Sequence, residues 1–124
     1  MIDHISISVS NLANSTKFYK SVLAELGLEV LVSRETTVGF GKKYPEFWLN
    51  ERAPHSPESA IDGFHVCLRA SSVEQVNEFH KQALSNGGTS NGEPGFRKQY
   101  SNSYYAAFIQ DFDNNRIEAV TFVS

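Results

Sequence analysis

Two histidines, His4 and His65, hold the same place in two copies of one pattern. The segment His4-Ile5-Ser6-Ile7-Ser8-Val9 matches His65-Val66-Cys67-Leu68-Arg69-Ala70 at a shift of 61 residues. The same shift pairs Leu12 with Val73, Phe18 with Phe79, Lys20 with Lys81, Leu23 with Leu84 and Gly27 with Gly88. Imidazole is a ready ligand for divalent transition metals, and a pseudo-twofold axis relating two such units would bring the leading imidazoles together. A third donor is expected from the closing segment, where Glu118 is the carboxylate of the apolar run Ile117-Glu118-Ala119-Val120. Alternation puts Glu118 on one face with Val120 and Phe122, and a carboxylate in such company needs a cation or donors beside it. Two imidazoles and one carboxylate suit Fe(II), Mn(II), Zn(II) or Ni(II) and leave coordination positions open. Each residue also has an ordinary reading, as a solvated histidine, a satisfied core histidine or an edge glutamate. Their equivalence under the repeat is what favours a metal site.

The elements that must position these groups follow from periodicity. Ile5, Ile7 and Val9 alternate with His4, Ser6 and Ser8, the period of a strand. Asn11 is a helix N-cap ahead of an apolar stripe at Phe18, Val22 and Leu26, with Tyr19 and Leu23 beside it, closed by Gly27. Three short strands are expected at Leu28 to Ser33, Thr36 to Gly41 and Pro45 to Asn50. Residues 51–62, with Pro54 and Pro57, read as a linker. The second copy has a strand from Phe64 to Ala70, then a capping box at Ser72 and Gln75. Its helix carries Val73, Val76, Phe79, Ala83 and Leu84 and ends at Gly87-Gly88. Residues 89–103 read as a loop holding one short strand, and Tyr104 to Gln110 and Arg116 to Val123 as strands joined by a turn at Asp113-Asn114-Asn115.

The expected architecture is therefore α+β: one domain of two tandem βαβββ modules (residues 1–50 and 63–124) curled into an eight-stranded half-barrel. Each helix has one apolar stripe to bury, so Ile5, Ile7, Val9, Val66, Leu68 and Ala70 pack inward. His4, Ser6, Ser8, His65, Cys67 and Arg69 are left for a polar concavity. Pairing the closing strands sets Phe47-Trp48-Leu49 against Ile117-Glu118-Ala119. Trp48 then stands where a fourth ligand would, and three ligands are expected.

Bulk properties narrow the partners. A chain of 124 residues with 40% hydrophobic and 12% aromatic residues builds one core. A net charge of −3 with scattered basic residues gives no footprint for nucleic acid or an anionic membrane. One cysteine, Cys67, excludes an internal disulfide and fits a reducing compartment. With no leader-like start and no spanning apolar run, a cytoplasmic location is expected. Around the cavity, Trp48, Tyr104 and Phe108 offer an aromatic wall, and Arg69 a cation for Glu118 or a bound anion. Arg97, Lys98 and Tyr100 sit in a loop able to act as a lid.

The leading histidines, the helices around Phe18-Tyr19 and Phe79-His80, the turn Asp111-Phe112-Asp113-Asn114-Asn115 and the closing Ile117-Glu118-Ala119-Val120 resemble the vicinal oxygen chelate superfamily of glyoxalase I, bleomycin-resistance proteins, extradiol dioxygenases and fosfomycin-resistance enzymes. The resemblance spans essentially the whole chain. It is closest to small glyoxalase-like proteins, through Pro45-Glu46-Phe47-Trp48-Leu49 and Tyr104-Tyr105-Ala106-Ala107-Phe108. It implies a homodimer and a divalent metal at His4, His65 and Glu118. It also implies either a metal-dependent lyase, isomerase or dioxygenase acting on a small molecule with vicinal oxygens, or a non-catalytic binding protein of the bleomycin-resistance type. Glyoxalase I carries a ligand and base where this chain has Trp48, so that activity is not expected here. The tyrosine that extradiol enzymes place near the metal would correspond to Tyr104 or Tyr105, and no residue stands out as acid–base catalyst.

Overall fold

The computed structural model describes residues 1–54 and 63–124. Its elements run β1 (Ile5–Val9), α1 (Leu12–Ala24), β2 (Glu29–Ser33), β3 (Thr37–Gly41), β4 (Pro45–Glu51), β5 (Val66–Arg69), α2 (Val73–Ser85), β6 (Thr89–Phe96), β7 (Tyr104–Gln110) and β8 (Arg116–Phe122). The order is βαβββ twice, as the repeat implies. The strands form two four-stranded sheets ordered β1-β4-β3-β2 and β5-β8-β7-β6. In each, the leading strand lies parallel to the closing strand of its own module, and the rest is antiparallel.

Both helices start where their caps dictate. The Asn11 side chain accepts the Asn14 N–H, and the Ser72 hydroxyl accepts that of Gln75. Gln75 reaches back to the Ser71 N–H at 2.7 Å, one residue before the cap. The buried stripe of α1 is Leu12, Phe18, Tyr19, Val22 and Leu23. That of α2 is Val76, Phe79, His80 and Ala83, while Leu84 turns outward. These stripes and the inward residues of both sheets make one continuous core. Each large apolar side chain removed from water there contributes about 1.5–3 kcal/mol.

Two differences from the sequence expectation have simple causes. The short strand expected within residues 89–103 extends over eight residues, 89–96, because β7 offers an unpaired edge that backbone groups of a Gly-rich segment can satisfy without side-chain help. The expected linker begins later, since β4 continues to Glu51, whose carboxylate accepts the Leu12 N–H at 2.9 Å. The rest of the expected linker, residues 55–62, falls outside the described residues.

The modules are joined by α1 against α2 and by a polar clasp at the β7–β8 turn. There the Tyr19 hydroxyl donates to Asp111 Oδ2 at 2.6 Å, and Asn115 Nδ2 donates to the Ser8 carbonyl at 2.9 Å. The Ser10 N–H donates to Asp113 at 3.0 Å. Asp111 Oδ1 accepts the N–H groups of Asp113 and Asn115, and Asn114 takes the left-handed conformation the turn needs (φ 65°). Gly87 terminates α2 with φ +97°, and Gly88 presses against α1: a Cβ there would lie 2.7 Å from the Phe18 ring and 2.9 Å from the Gln110 carbonyl oxygen. Gly88→Ala is therefore expected to cost about 1–3 kcal/mol by overpacking a junction that includes backbone. Chemical denaturation checks this, and a cost below about 0.5 kcal/mol would mean the junction yields freely.

Candidate metal centre

Register confirms which residues share a face. Trp48 pairs with Ser6 in the first sheet, and Glu118 pairs with Cys67 in the second. Ser6 and Cys67 are themselves equivalent under the repeat, so Trp48 does stand in the place of Glu118. Both lie on the side of their sheet turned away from the helices.

On the second sheet, Glu118 is the centre of a compact polar group. It is 2% exposed, although it stands on the open face. Rings and side chains of that face cover it. His65 Nε2 donates to Glu118 Oε1 at 2.9 Å, and the Tyr104 hydroxyl donates to Oε2 at 2.5 Å. The Cys67 thiol turns to the same carboxylate, and burial first, then the Glu118 charge, push it up to about 12. Burial and the hydrogen bond to Glu118 also raise the Tyr104 hydroxyl well above the usual range for tyrosine. Both groups therefore stay protonated at neutral pH, as donors rather than as nucleophile or base. Part of Cys67 remains open to solvent. Alkylation by iodoacetamide at pH 8 is nonetheless expected to run more than tenfold slower than for an ordinary thiol, and Glu118→Gln should accelerate it. Mass spectrometry follows the chain's one cysteine directly; alkylation at the ordinary thiol rate would show that the thiol does not face the carboxylate.

Around this group the face is aromatic and cationic. The Phe108 ring lies 6.2 Å from the His65 ring, and Tyr104 stacks edge-on with Tyr100 and Phe122. Arg97 lies over Phe108 and Arg69 over Phe122. Five of the expected ligand-binding residues (Arg69, Arg97, Tyr100, Tyr104 and Phe108) thus gather about Glu118 and His65. Arg69 does not pair with Glu118; its guanidinium sits two same-face positions along β8 from it, over Phe122.

Other expected residues lie elsewhere. Tyr105 points to the helix side, its hydroxyl donating to Asn77 Oδ1 at 2.7 Å, as period-2 alternation requires for the neighbour of Tyr104. That position removes it as a candidate beside Glu118. His4 bonds Asp3 at 2.7 Å and is about half exposed. It lines a cavity of about 550 Å³ between β1 and β5 with His65, Cys67 and Arg69. It also borders a shallow depression of about 480 Å³ on the first sheet, with Ser6, Arg34, Thr37, Trp48 and Asn50. Among the described residues, no group of three histidine, cysteine, aspartate or glutamate side chains is placed to hold one ion. The chain brings together two of the three expected ligands, and His4 does not join them. Arg34, which lies over Trp48, escaped sequence reasoning because it follows a strand edge with no periodicity to aim it. His80, buried on α2 and bonded to Ser90 at 2.8 Å, is a packing residue.

The donor pair fits a divalent ion. Nitrogen and oxygen ligands about 2.0–2.2 Å from one metal at right angles stand about 3 Å apart, and His65 Nε2 and Glu118 Oε1 are 2.9 Å apart. Glu118 is 2% exposed, so a metal cation beside it would answer the cost of its burial.

The family model described as the Glyoxalase/Bleomycin resistance protein/Dioxygenase superfamily matches residues 1–119. A glyoxalase/bleomycin resistance protein from Albidiferax ferrireducens is 30% identical, with a TM-score of 0.84 over 97% of this chain and 98% of that one. The fosfomycin resistance protein FosX of Listeria monocytogenes is 19% identical, with a TM-score of 0.73 over 99% of this chain and 93% of that one. A FosX variant from the same organism, solved with Mn(II) and a dihydroxypropylphosphonic acid, is 18% identical with a TM-score of 0.73 over 99% of this chain and 90% of that one. At those two identities the likeness is one of fold. No curated protein sequence matches the chain.

Proposed function

The chain belongs to the glyoxalase/bleomycin resistance protein/dioxygenase superfamily, and on that premise we propose that it is a divalent-metal-dependent enzyme acting on a small molecule with neighbouring oxygen atoms. His65 and Glu118 would hold the ion from one chain, and His4 of a second copy would complete the set. The observation that carries this reading is the apposition of His65 Nε2 and Glu118 Oε1 on an open sheet face, with His4 on the corresponding face of the other sheet. Two copies related by a twofold axis would set the first sheet of each against the second sheet of the other. Such an assembly encloses both polar faces and opposes Trp48 to Glu118. The Mn(II) complex of a FosX protein supports a metal role in this fold.

When bound, the ion supplies Lewis acidity toward a chelating oxygen pair. The chain's own residues then have distinct tasks. Tyr104 fixes Oε2 of Glu118, which leaves Oε1 and the imidazole free to turn to the ion. Phe108, Tyr100 and Phe122 keep water from the surroundings of the carboxylate. Cys67 remains a neutral donor on Glu118. Elemental analysis of protein purified without chelators is expected to find about one divalent ion per chain. No metal above background, with no uptake of added Mn(II), Fe(II), Ni(II) or Zn(II), would overturn the proposal.

A further inference from the structure

Three arginines have their guanidinium groups laid over aromatic rings, and all three border the polar sheet faces. Arg34 is 5.7 Å from the Trp48 ring centre, Arg69 is 4.7 Å from Phe122 and Arg97 is 5.4 Å from Phe108. A ring beneath a guanidinium holds its plane and shields one side from water, while the N–H groups around the edge stay available. Arg97 spends two of them on the carbonyls of Gly95 and Glu93, at 3.0 and 2.6 Å. Arg69 spends none: among the described residues it has no hydrogen bond and no carboxylate within ion-pair reach, and its ring partner is Phe122. A cation on an acidic chain, oriented by a ring yet unpaired, is arranged for an anion that the protein itself does not supply.

Its position fixes the size of that anion's carrier. Cys67 pairs with Glu118 and Arg69 with Val120, so the Arg69 backbone stands one same-face step from the Glu118 pair, about 7 Å along the sheet, and its guanidinium reaches one step further, over Phe122. Arg97 flanks Glu118 from the other side, across Phe108, which pairs with Glu118. We propose that the ligand of this face is a small oxyanion-bearing molecule, its anionic group taken by Arg69 while its other end reaches His65 and Glu118. For that second contact the inference rests on the function proposed above; the anion contact itself needs no metal.

The test uses the full chain without metal, titrated by calorimetry or ³¹P NMR with inorganic phosphate and methylphosphonate, and by calorimetry with acetate. Wild-type protein is expected to bind at least one of these saturably, with Arg69→Gln weakening that binding at least tenfold and Arg69→Lys, which lacks the planar fork, giving an intermediate loss. Lys20→Gln, which removes the same charge from an exposed position on α1, should leave it within twofold. Phosphate and methylphosphonate binding tighter than acetate would identify a phosphoryl or phosphonyl group, and the reverse a carboxylate. No saturable binding, or equal losses in Arg69→Gln and Lys20→Gln, would overturn the proposal. Metal content measured separately on the same samples reports on the metal proposal alone, so the two can fail independently.

Discussion

Replacing His65 with alanine will abolish metal retention through purification, and Glu118→Gln will do the same while leaving the fold intact. Loss of an outer hydrogen-bond partner to a metal ligand already costs about 10–100-fold in affinity. Removing a donor atom from a three-donor set should exceed the upper end of that range. Glu118→Gln is the sharper variant: the amide keeps the shape and can still accept from Tyr104, but it carries no charge to balance the ion. The substitution also relieves the burial of a carboxylate that is 2% exposed, so its thermal stability should match or exceed that of the metal-free wild type. Competition titration with Mn(II) against a chelating indicator reads both effects. Affinity within threefold of wild type in either variant would remove that residue from the ligand set.

The second large effect is structural. Asp111→Ala is expected to cost about 2–4 kcal/mol, because it strands the Tyr19 hydroxyl, the Asn115 amide and two backbone N–H groups in a buried clasp. A cost of that size lowers Tm by about 8–15 °C in a domain of this length. Burial is the largest influence on Asp111 and lifts its carboxyl above the usual value, with its four donors pulling it back. The native state therefore binds the proton more tightly than the unfolded chain does. The associated stability is complete below the ordinary Asp pKa and is lost as pH rises through the native value. Asp111→Asn, which does not titrate, should show a flatter stability profile across that interval. A Tm change of under about 2 °C in Asp111→Ala would mean that the modules do not depend on this clasp.

Much of the arrangement was legible from alternation and the repeat. Which side of β1, β5 and β8 faces the core follows from two-residue periodicity, and so does the company Glu118 keeps with Val120 and Phe122. The equivalence of Trp48 and Glu118 follows from pairing the closing strands of the two copies and is visible in the register. Other features depend on information that periodicity lacks. The repeat aligns Gly88 with Gly27, yet it is Gly87 that shares the left-handed turn of Gly27, while Gly88 is small because Phe18 lies against it. Nothing local in the sequence reports that contact between modules. Likewise the repeat equates His4 with His65 without saying how the two sheets face one another. Convergence of three ligands within one chain was the natural expectation from a pseudo-twofold axis. In the chain His65 and Glu118 meet, whereas His4 shares a cavity with His65 but joins no three-ligand group among the described residues.

Whether a second copy supplies the third ligand can be decided by mixing two variants that each lack one of the two histidines. His4→Ala and His65→Ala proteins should each fail to retain metal. If each site is shared between copies, co-refolded mixtures will contain heterodimers in which His4 of one variant meets His65 and Glu118 of the other. Those heterodimers will regain one ion per pair, measurable by elemental analysis of the mixed species. Mixtures that stay as empty as their parents would contradict a centre built from two chains.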